Sequence, residues 1–201
     1  MTDLRALLLV CTLEPSPSES SSELLAHDLE RELQAHGVVT EVVRVVDHDV
    51  RFGVSTDEGN GDEWPVIRSK MLESNIFALV TPIWMGQPSS VCKMVLERLD
   101  AELSETDDEG RLTTYGKVGM VGVVGNEDGA HHVISQCLQG LNDVGFSFAA
   151  NAGTYWVGEA MQSVDYKDHD ETPEKTAATN KTAAATAVHL ARLLRDHQYP
   201  A

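Results

Sequence analysis

The chain has 201 residues and is 42% hydrophobic, so it is long enough to bury a substantial core as a single domain over residues 1–201. Its 32 acidic and 15 basic residues give a formal net charge of −17, which argues against a nucleic-acid partner because a phosphate backbone needs a basic face. No apolar run reaches the length of a membrane span, and the first 13 residues lack the pattern of a secretory leader. We therefore expect a cytoplasmic protein with no membrane partner.

The first third of the chain alternates between strand and helix patterns. Residues 6–10 form an uninterrupted apolar run, which predicts a strand buried on both faces of a parallel sheet. A polar loop follows, and leucines on one face then predict a helix that begins at Glu23 and ends at Gly37. Residues 38–46 are rich in β-branched side chains and predict the second strand.

The middle of the chain contains the most apolar run. Residues 47–63 are acidic and glycine-rich, which predicts a loop with no packing face, and residues 64–74 predict a second helix. Residues 76–80 predict a strand buried on both faces, which Pro82 should end because proline cannot donate to a ladder. Pro88 is then expected as the first residue of the third helix.

The last part of the chain continues the same alternation. An apolar stripe over residues 91–99 predicts the third helix, and residues 118–124 predict the fourth strand. A similar stripe over residues 133–144 predicts the fourth helix, and residues 146–152 are expected to form the fifth strand. An alanine-rich helix ends near Leu194.

Alternating strands and helices predict a parallel sheet with helices on both faces. Five strands and five helices favour an α/β fold of the flavodoxin-like, doubly wound type, with a five-stranded parallel sheet in the order 2-1-3-4-5. In such sheets ligands bind beyond the carboxyl ends of the strands. The loops that follow strands one, three and four are therefore expected to converge on one site.

The first of these loops, residues 12–22, allows two interpretations. Ser20 and Glu23 form the pattern of a capping box, which on its own indicates only a helix start. A helix N-terminus with several hydroxyls is also an anion site, because unpaired amides and the helix dipole both favour negative charge. The charged residues of this loop are all acidic, so a phosphate bound here should be held by neutral donors alone.

The second and third loops differ in character. Ile83, Trp84 and Met85 are large apolar side chains on a short loop, and they either fold back on the core or line a flat apolar ligand. The third loop, residues 125–131, is a glycine-rich turn whose backbone amides could meet polar atoms on the edge of a ring.

Cysteine and histidine residues do not indicate a metal site. Cys11, Cys92 and Cys137 are odd in number, widely spaced and within apolar runs, so they are expected to be reduced core residues. His131 and His132 are adjacent and would point about a hundred degrees apart on a helix, so they cannot easily share a metal.

Three segments of the sequence resemble the NADPH-dependent FMN reductase branch of the flavodoxin superfamily. They are Thr81-Pro-Ile-Trp-Met-Gly-Gln-Pro-Ser-Ser90, Leu96-Glu-Arg-Leu-Asp100 and Val124-Gly-Asn-Glu-Asp-Gly-Ala-His-His132. The similarity extends from the first strand through Tyr155-Trp-Val-Gly-Glu159, which is most of the chain.

The resemblance implies one FMN per chain. It implies that the phosphate lies among Thr12, Ser20, Ser21 and Ser22, and that the isoalloxazine lies against Pro82, Ile83, Trp84, Met85 and Gly86. It implies that the other edge of the ring lies near Gly125, Asn126, Glu127 and Gly129. The first loop departs from the family pattern: in the family this loop often carries a basic residue, whereas in this chain it has Glu14.

The resemblance further implies an FMN-dependent oxidoreductase that takes hydride from NADPH or NADH onto flavin N5 and passes electrons to a small acceptor. Because the cofactor carries this chemistry, we predict no catalytic side chain and no metal. The alternative is an electron-transfer flavodoxin without its own substrate, which an acidic surface would suit. A third possibility is a flavodoxin-like binding or regulatory module that has lost the cofactor.

The aromatic residues leave a further choice open. Trp64, Tyr155 and Trp156 are predicted to be core residues, subunit contacts or flavin partners. The Trp84 loop and the Tyr155-Trp156 pair are more apolar than an exposed surface usually is, so we expect a homo-oligomer.

Overall fold

The computed structural model describes residues 3–160 and 162–201. Five parallel strands form a sheet in the order β2-β1-β3-β5-β6, which confirms the predicted doubly wound order, and a two-residue strand, β4, pairs antiparallel with β3. The strands are β1 (Arg5–Val10), β2 (Val39–Arg44), β3 (Ile76–Trp84), β4 (Gln87–Pro88), β5 (Val118–Gly125) and β6 (Gly153–Val157). The helices are α1 (Ser21–Ala35), α2 (Trp64–Glu73), α3 (Ser90–Leu99), α4 (Ala130–Asp143) and α5 (Glu174–Asp196).

The sheet separates two hydrophobic layers. Along β1, Leu7 and Leu9 pack with α2, α3 and α4, whereas Leu8 and Val10 pack with α1 and α5. Because both faces are covered, β1 and β3 consist of continuous apolar runs rather than of alternating polar and apolar residues. No helix in the described part of the chain is long and apolar enough to span a membrane.

The prediction that Pro82 ends the third strand is wrong. β1 pairs with β3 only as far as Val80, and β3 then continues to Trp84 beside β5. Pro82 therefore lies where β1 no longer pairs with this strand, which is the edge-like position that proline tolerates in a sheet. Pro88 does not begin a helix either: it lies in β4, and Ser89 caps α3 by accepting a hydrogen bond from the Cys92 amide at 3.1 Å.

Two other predicted strands also differ from the structure. Residues 146–152 do not form the fifth strand; they touch the sheet through one bridge between Val118 and Ser147, and the strand is Gly153–Val157. The backbone turns before that strand, with Asn151 at φ 57°. The second strand ends at Arg44, because residues 45–47 form a 3₁₀ turn.

The acidic segment 47–63 has a packing partner, contrary to prediction. Arg98 of α3 is fully buried and donates hydrogen bonds to the carbonyls of Arg51 and Ser55, each at 2.8 Å. Its guanidinium also pairs with the Asp62 carboxylate at 2.8 Å and lies 5.6 Å from the ring centre of Trp64. A long polar segment is thus fixed to the core through one cation.

The pairing with Asp62 predicts a pH-dependent loss of stability. Burial alone would raise the pKa of the Asp62 carboxyl, but the amides of Glu58 and Arg51 and the Arg98 guanidinium bind its charged form and lower the pKa to about 2. The folded protein therefore binds fewer protons than the unfolded chain between about pH 4 and pH 2. The stabilisation is complete above this window and is lost as the pH falls through it.

We expect Asp62→Asn to lower the free energy of unfolding at neutral pH by roughly 2–3 kcal/mol, and the difference from wild type to shrink towards pH 2. Urea unfolding across the acid range measures this. Asp108→Asn, at an exposed carboxylate, is the control. If the difference in unfolding free energy between wild type and Asp62→Asn does not change with pH, the lowered pKa of Asp62 is contradicted.

Candidate functional site

A cavity of about 530 Å³ lies at the carboxyl ends of β1, β3 and β5. This volume is in the usual range for a small-molecule pocket. Most of the predicted site residues line it: Thr12, Ser20, Ser21, Ser22, Pro82, Ile83, Trp84, Gly125, Asn126 and Glu127. Other residues of the first loop line it as well, namely Leu13, Glu14 and Glu19, together with Trp156, for which a flavin contact was one of three alternatives. The lining residues that were not predicted are Val124, Asp165, Tyr166 and Lys167.

The N-terminus of α1 forms one end of the cavity. Ser20 caps the helix and accepts a hydrogen bond from the Glu23 amide at 3.3 Å. The capping box is only half formed, because the Glu23 carboxylate accepts from Arg44 at 3.1 Å instead of from the cap amide. The cavity end therefore combines serine hydroxyls with the first-turn amides of a 15-residue helix, which suits an anion.

Arg44 also holds the shape of the loop that precedes α1. Its guanidinium is buried and donates to the carbonyls of Glu14, at 3.2 Å, and Ser18, at 2.9 Å. The loop has no basic residue of its own, but it is folded around a cation from β2. Nothing local in the sequence indicates this contact, because 26 and 30 residues separate the partners.

The apolar wall of the cavity comes from the end of β3. Ile83 is buried, whereas Trp84 keeps 54% of its surface exposed, so its indole is not a core plug. Gly125 of β5 allows β3 to pack closely against it, because a Cβ at position 125 would lie only 2.9 Å from Ile83 Cβ. A flat aromatic surface is thus left uncovered beside the cavity.

Met85, Gly86 and Gly129, which are predicted to lie near the flavin ring, are not among the residues that line the cavity. Met85 and Gly86 form the turn between β3 and β4, both with positive φ, and their amides donate to the Glu127 carboxylate at 3.0 and 2.9 Å. A Cβ on Gly129 would lie 2.9 Å from Gly86 Cα. These residues therefore fix the second loop against the third instead of facing the cavity.

A segment after β6 closes the other side of the cavity, and we refer to residues 165–168 as the strap. Asn126 donates a hydrogen bond to the Asp165 carboxylate, and the Tyr166 hydroxyl donates to the buried carboxylate of Asp28 on α1. Burial and the nearby Asp28 charge raise the pKa of Tyr166 well above its ordinary value. The strap is thus bound to both β5 and α1.

The strap carries Lys167, a cation that lies outside the serine-rich loop and was not considered in the prediction of neutral phosphate donors. Its backbone amide donates to Ser21 Oγ at 3.3 Å, and its Nζ lies 3.4 Å from Glu19 Oε2. Among the described residues that line the cavity, Lys167 is the only cation. The local sequence 165–170 has no apolar periodicity, and its position depends on contacts with α1 that only the folded chain shows.

The other candidate residues lie elsewhere. His131 Nε2 is 3.2 Å from the Tyr155 hydroxyl, and His132 contacts Gln87; both histidines are exposed and outside the cavity lining. Trp64 is fully buried in the core. Trp156 does line the cavity, and its ring centre lies 5.6 Å from that of Tyr166.

The cysteines agree with the prediction of buried thiols. Cys11, Cys92 and Cys137 are buried and free, with the Cys92 and Cys137 sulfurs 3.7 Å apart. Across residues 3–160 and 162–201, no three His, Cys, Asp or Glu residues are grouped so as to hold a metal ion.

Comparison with known proteins identifies the family. The model of the NADPH-dependent FMN reductase family matches residues 5–162. The chain belongs to this family. The name of the family implies FMN as the flavin and NADPH as the electron donor.

The chain is also similar to individual proteins whose names refer to a riboflavin 5'-phosphate. The 8-demethyl-8-aminoriboflavin-5'-phosphate synthase of Streptomyces davaonensis is 34% identical over 208 residues, covering 98% of this chain and 80% of that protein. A crystal structure of RosB with bound 8-demethyl-8-formylriboflavin-5'-phosphate superposes with a TM-score of 0.86 at 33% identity, covering 98% of this chain and 82% of the other.

The third relative is much longer than this chain. The divalent metal cation transporter MntH of Mycobacterium bovis is 35% identical over 199 residues, which cover 96% of this chain but 29% of the transporter. The chain thus spans less than a third of that relative.

The residues around the cavity fit an FMN molecule. Serine hydroxyls and the N-terminus of α1 offer donors for a phosphate, and Trp84 offers a flat surface for a ring system. Asn126 Oδ1 is buried without a hydrogen-bond partner, so an acceptor is available to a polar group of the ligand. The described lining therefore contains a group suited to each part of the molecule.

Replacement of Trp84 should separate binding from stability. Because the indole is half exposed, we expect Trp84→Ala to lower the free energy of unfolding of flavin-free protein by less than about 1 kcal/mol. FMN affinity should fall by about 1–3 kcal/mol, the scale of aromatic stacking on a base, and the stability of the FMN-bound protein should fall with it.

Urea unfolding with and without added FMN measures both quantities. Trp64→Ala is the matched control, because Trp64 is fully buried and its loss should cost about 3–5 kcal/mol under all conditions. Equal destabilisation of the Trp84 variant with and without FMN would remove Trp84 from the site.

The strap contact gives a second prediction. Tyr166→Phe removes a donor from the buried Asp28 carboxylate, so we expect a loss of about 1–3 kcal/mol in the free energy of unfolding. Tyr199→Phe is the control, since that hydroxyl contacts Ser147 at 3.0 Å on a more exposed side chain. A loss no larger than in the control, measured by urea unfolding, would show that the strap does not depend on Asp28.

Proposed function

We propose that the chain uses FMN to transfer electrons from NADPH or NADH to a small-molecule acceptor. The observation that carries this proposal is the cavity itself, in which an anion-binding helix terminus faces an exposed tryptophan at the carboxyl edge of the sheet. When bound, FMN supplies the redox chemistry, because its N5 accepts hydride from a nicotinamide and its reduced form returns electrons to an acceptor.

The protein's own part is to bind and orient. Ser20, Ser21 and Ser22 at the start of α1 would hold the phosphate, and Trp84 would cover one face of the ring and exclude water from it. Glu127 keeps the Met85-Gly86 turn in place through two amide hydrogen bonds. No side chain is assigned a proton transfer, because hydride exchange between two cofactors requires none.

Purified protein tests this proposal directly. We expect bound flavin with its yellow absorption, FMN rather than FAD when the flavin is released by heat and chromatographed, and anaerobic bleaching by NADPH or NADH. FMN is the expected flavin because the NADPH-dependent FMN reductase family model matches residues 5–162. Flavin that neither nicotinamide reduces would favour an electron-transfer flavodoxin, and FAD as the main product would contradict the cofactor assignment.

A second function is suggested by the name of one relative. The Streptomyces davaonensis relative is named for synthesis of an aminated riboflavin 5'-phosphate, and the RosB structure holds a formyl derivative of the same compound. In this alternative FMN is the substrate and is itself modified. Mass spectrometry of the flavin recovered after turnover distinguishes the two: an unchanged mass with nicotinamide consumed supports the reductase, and a changed mass supports modification.

We propose in addition that the chain forms a homo-oligomer. Trp84 and Met85 are adjacent and are 54% and 91% exposed, which is unusual for large apolar side chains on a free surface. Light scattering should give a mass above that of one chain, and Met85→Glu should shift it towards the monomer. A monomeric wild-type mass at micromolar concentration would contradict this proposal.

A further inference from the structure

The charge around the cavity poses a problem for a phosphorylated ligand. The described lining contains four carboxylates, those of Glu14, Glu19, Glu127 and Asp165, and a single cation, Lys167. The chain as a whole carries a net charge of −17. A phosphate dianion entering this cavity is repelled by most of the charges around it, whereas the uncharged side chain of riboflavin is not.

Lys167 is placed at the end of the cavity where a phosphate would bind. Its amide contacts the hydroxyl of Ser21 in the first turn of α1, which puts the lysine beside the helix terminus. Its Nζ lies 3.4 Å from Glu19 and 3.9 Å from Asp168, so two carboxylates share the ammonium. A phosphate bound at the start of α1 would compete with Glu19 for this cation.

The backbone beneath Lys167 is held in advance of binding. Tyr166 is buried and bonded to Asp28, Asp165 is bonded to Asn126, and the Asp165 amide donates to Asp168 at 2.8 Å. Residues on both sides of Lys167 are therefore fixed, and only its long side chain has to move. A cation positioned in this way loses little freedom when it binds an anion.

We propose that Lys167 is the residue by which this chain selects a 5'-phosphorylated flavin over riboflavin, and that Glu19 is its competing partner when the site holds no phosphate. This inference rests on the proposed function, because it assumes that the cavity binds a flavin. It assigns phosphate recognition to a segment 146 residues along the chain from Ser21, outside the serine-rich loop.

The test is a comparison of dissociation constants for FMN and for riboflavin, measured by fluorescence titration of flavin-free protein at low and high ionic strength. We expect Lys167→Met to weaken FMN binding by about 10- to 100-fold, the range for a lost charge-assisted hydrogen bond, and to change riboflavin binding by less than about twofold. The loss of FMN affinity in this variant, relative to wild type, should be larger at low than at high ionic strength, because salt screens the attraction that Lys167 supplies, and Lys167→Arg should keep most of the preference for FMN.

A matched control separates a local effect from net charge. Lys93 pairs with Glu97 at 3.2 Å on α3, outside the cavity lining, so Lys93→Met removes the same charge without changing the site. We expect it to leave the FMN to riboflavin ratio within about twofold of wild type, because exposed charges at a distance are screened.

Glu19 provides the reciprocal test. Removing its charge frees the ammonium and lessens repulsion, so Glu19→Gln should tighten FMN binding by a few-fold, roughly the strength of an exposed ion pair, with riboflavin unchanged. Glu97→Gln is its control. An unchanged FMN affinity in Glu19→Gln would overturn the role given to Glu19.

The outcomes separate this inference from the proposed function. Wild-type protein that binds neither flavin overturns both. Wild-type protein that binds FMN, together with a Lys167→Met variant that keeps the same preference or loses both flavins equally, overturns the role of Lys167 and leaves the flavin site standing.

Discussion

The site depends on the fact that β3 extends further along the sheet than its neighbour β1. The two strands pair only up to Val10 and Val80, after which the chain from β1 leads to α1 on one face and the chain from β3 leads to α3 on the other. Two loops that leave a sheet in opposite directions cannot cover the gap between them. The cavity is the result of this topology, and the residues around it are those that the departing loops place there.

Charged groups from outside these loops then fix their shapes. The loop before α1 folds around the guanidinium of Arg44, and the long acidic segment before α2 folds around that of Arg98. In both cases one arginine satisfies several backbone carbonyls, which an apolar side chain could not do. A strongly acidic chain thus uses a few of its cations to stabilise polar segments that lack a hydrophobic face.

The sequence was informative where structure depends on local pattern. Apolar runs located β1, β3 and β5, the serine at position 20 marked the start of α1, and the motif around Trp84 pointed to the edge of the sheet where the cavity lies. The failures have a common cause. Pro82 is tolerated because β1 has already ended, and Lys167 reaches the cavity because Tyr166 bonds to a carboxylate 138 residues away. Neither the end of the β1 pairing at Val80 nor the contact of Tyr166 with Asp28 is indicated by residues close in sequence to Pro82 or Lys167.

The close approach of Gly86 and Gly129 holds together two of the loops beside the cavity. The loops after β3 and β5 meet there backbone to backbone, and Glu127 joins them a second time through two amides. Because no side chain separates them at this contact, the two loops form a single packed unit. On the other side of the cavity, the side chain of Arg44 holds the α1 loop and that of Tyr166 holds the strap. The tryptophan side is therefore fixed by main-chain packing and the Glu127 carboxylate, whereas the α1 side is fixed by hydrogen bonds from two long side chains.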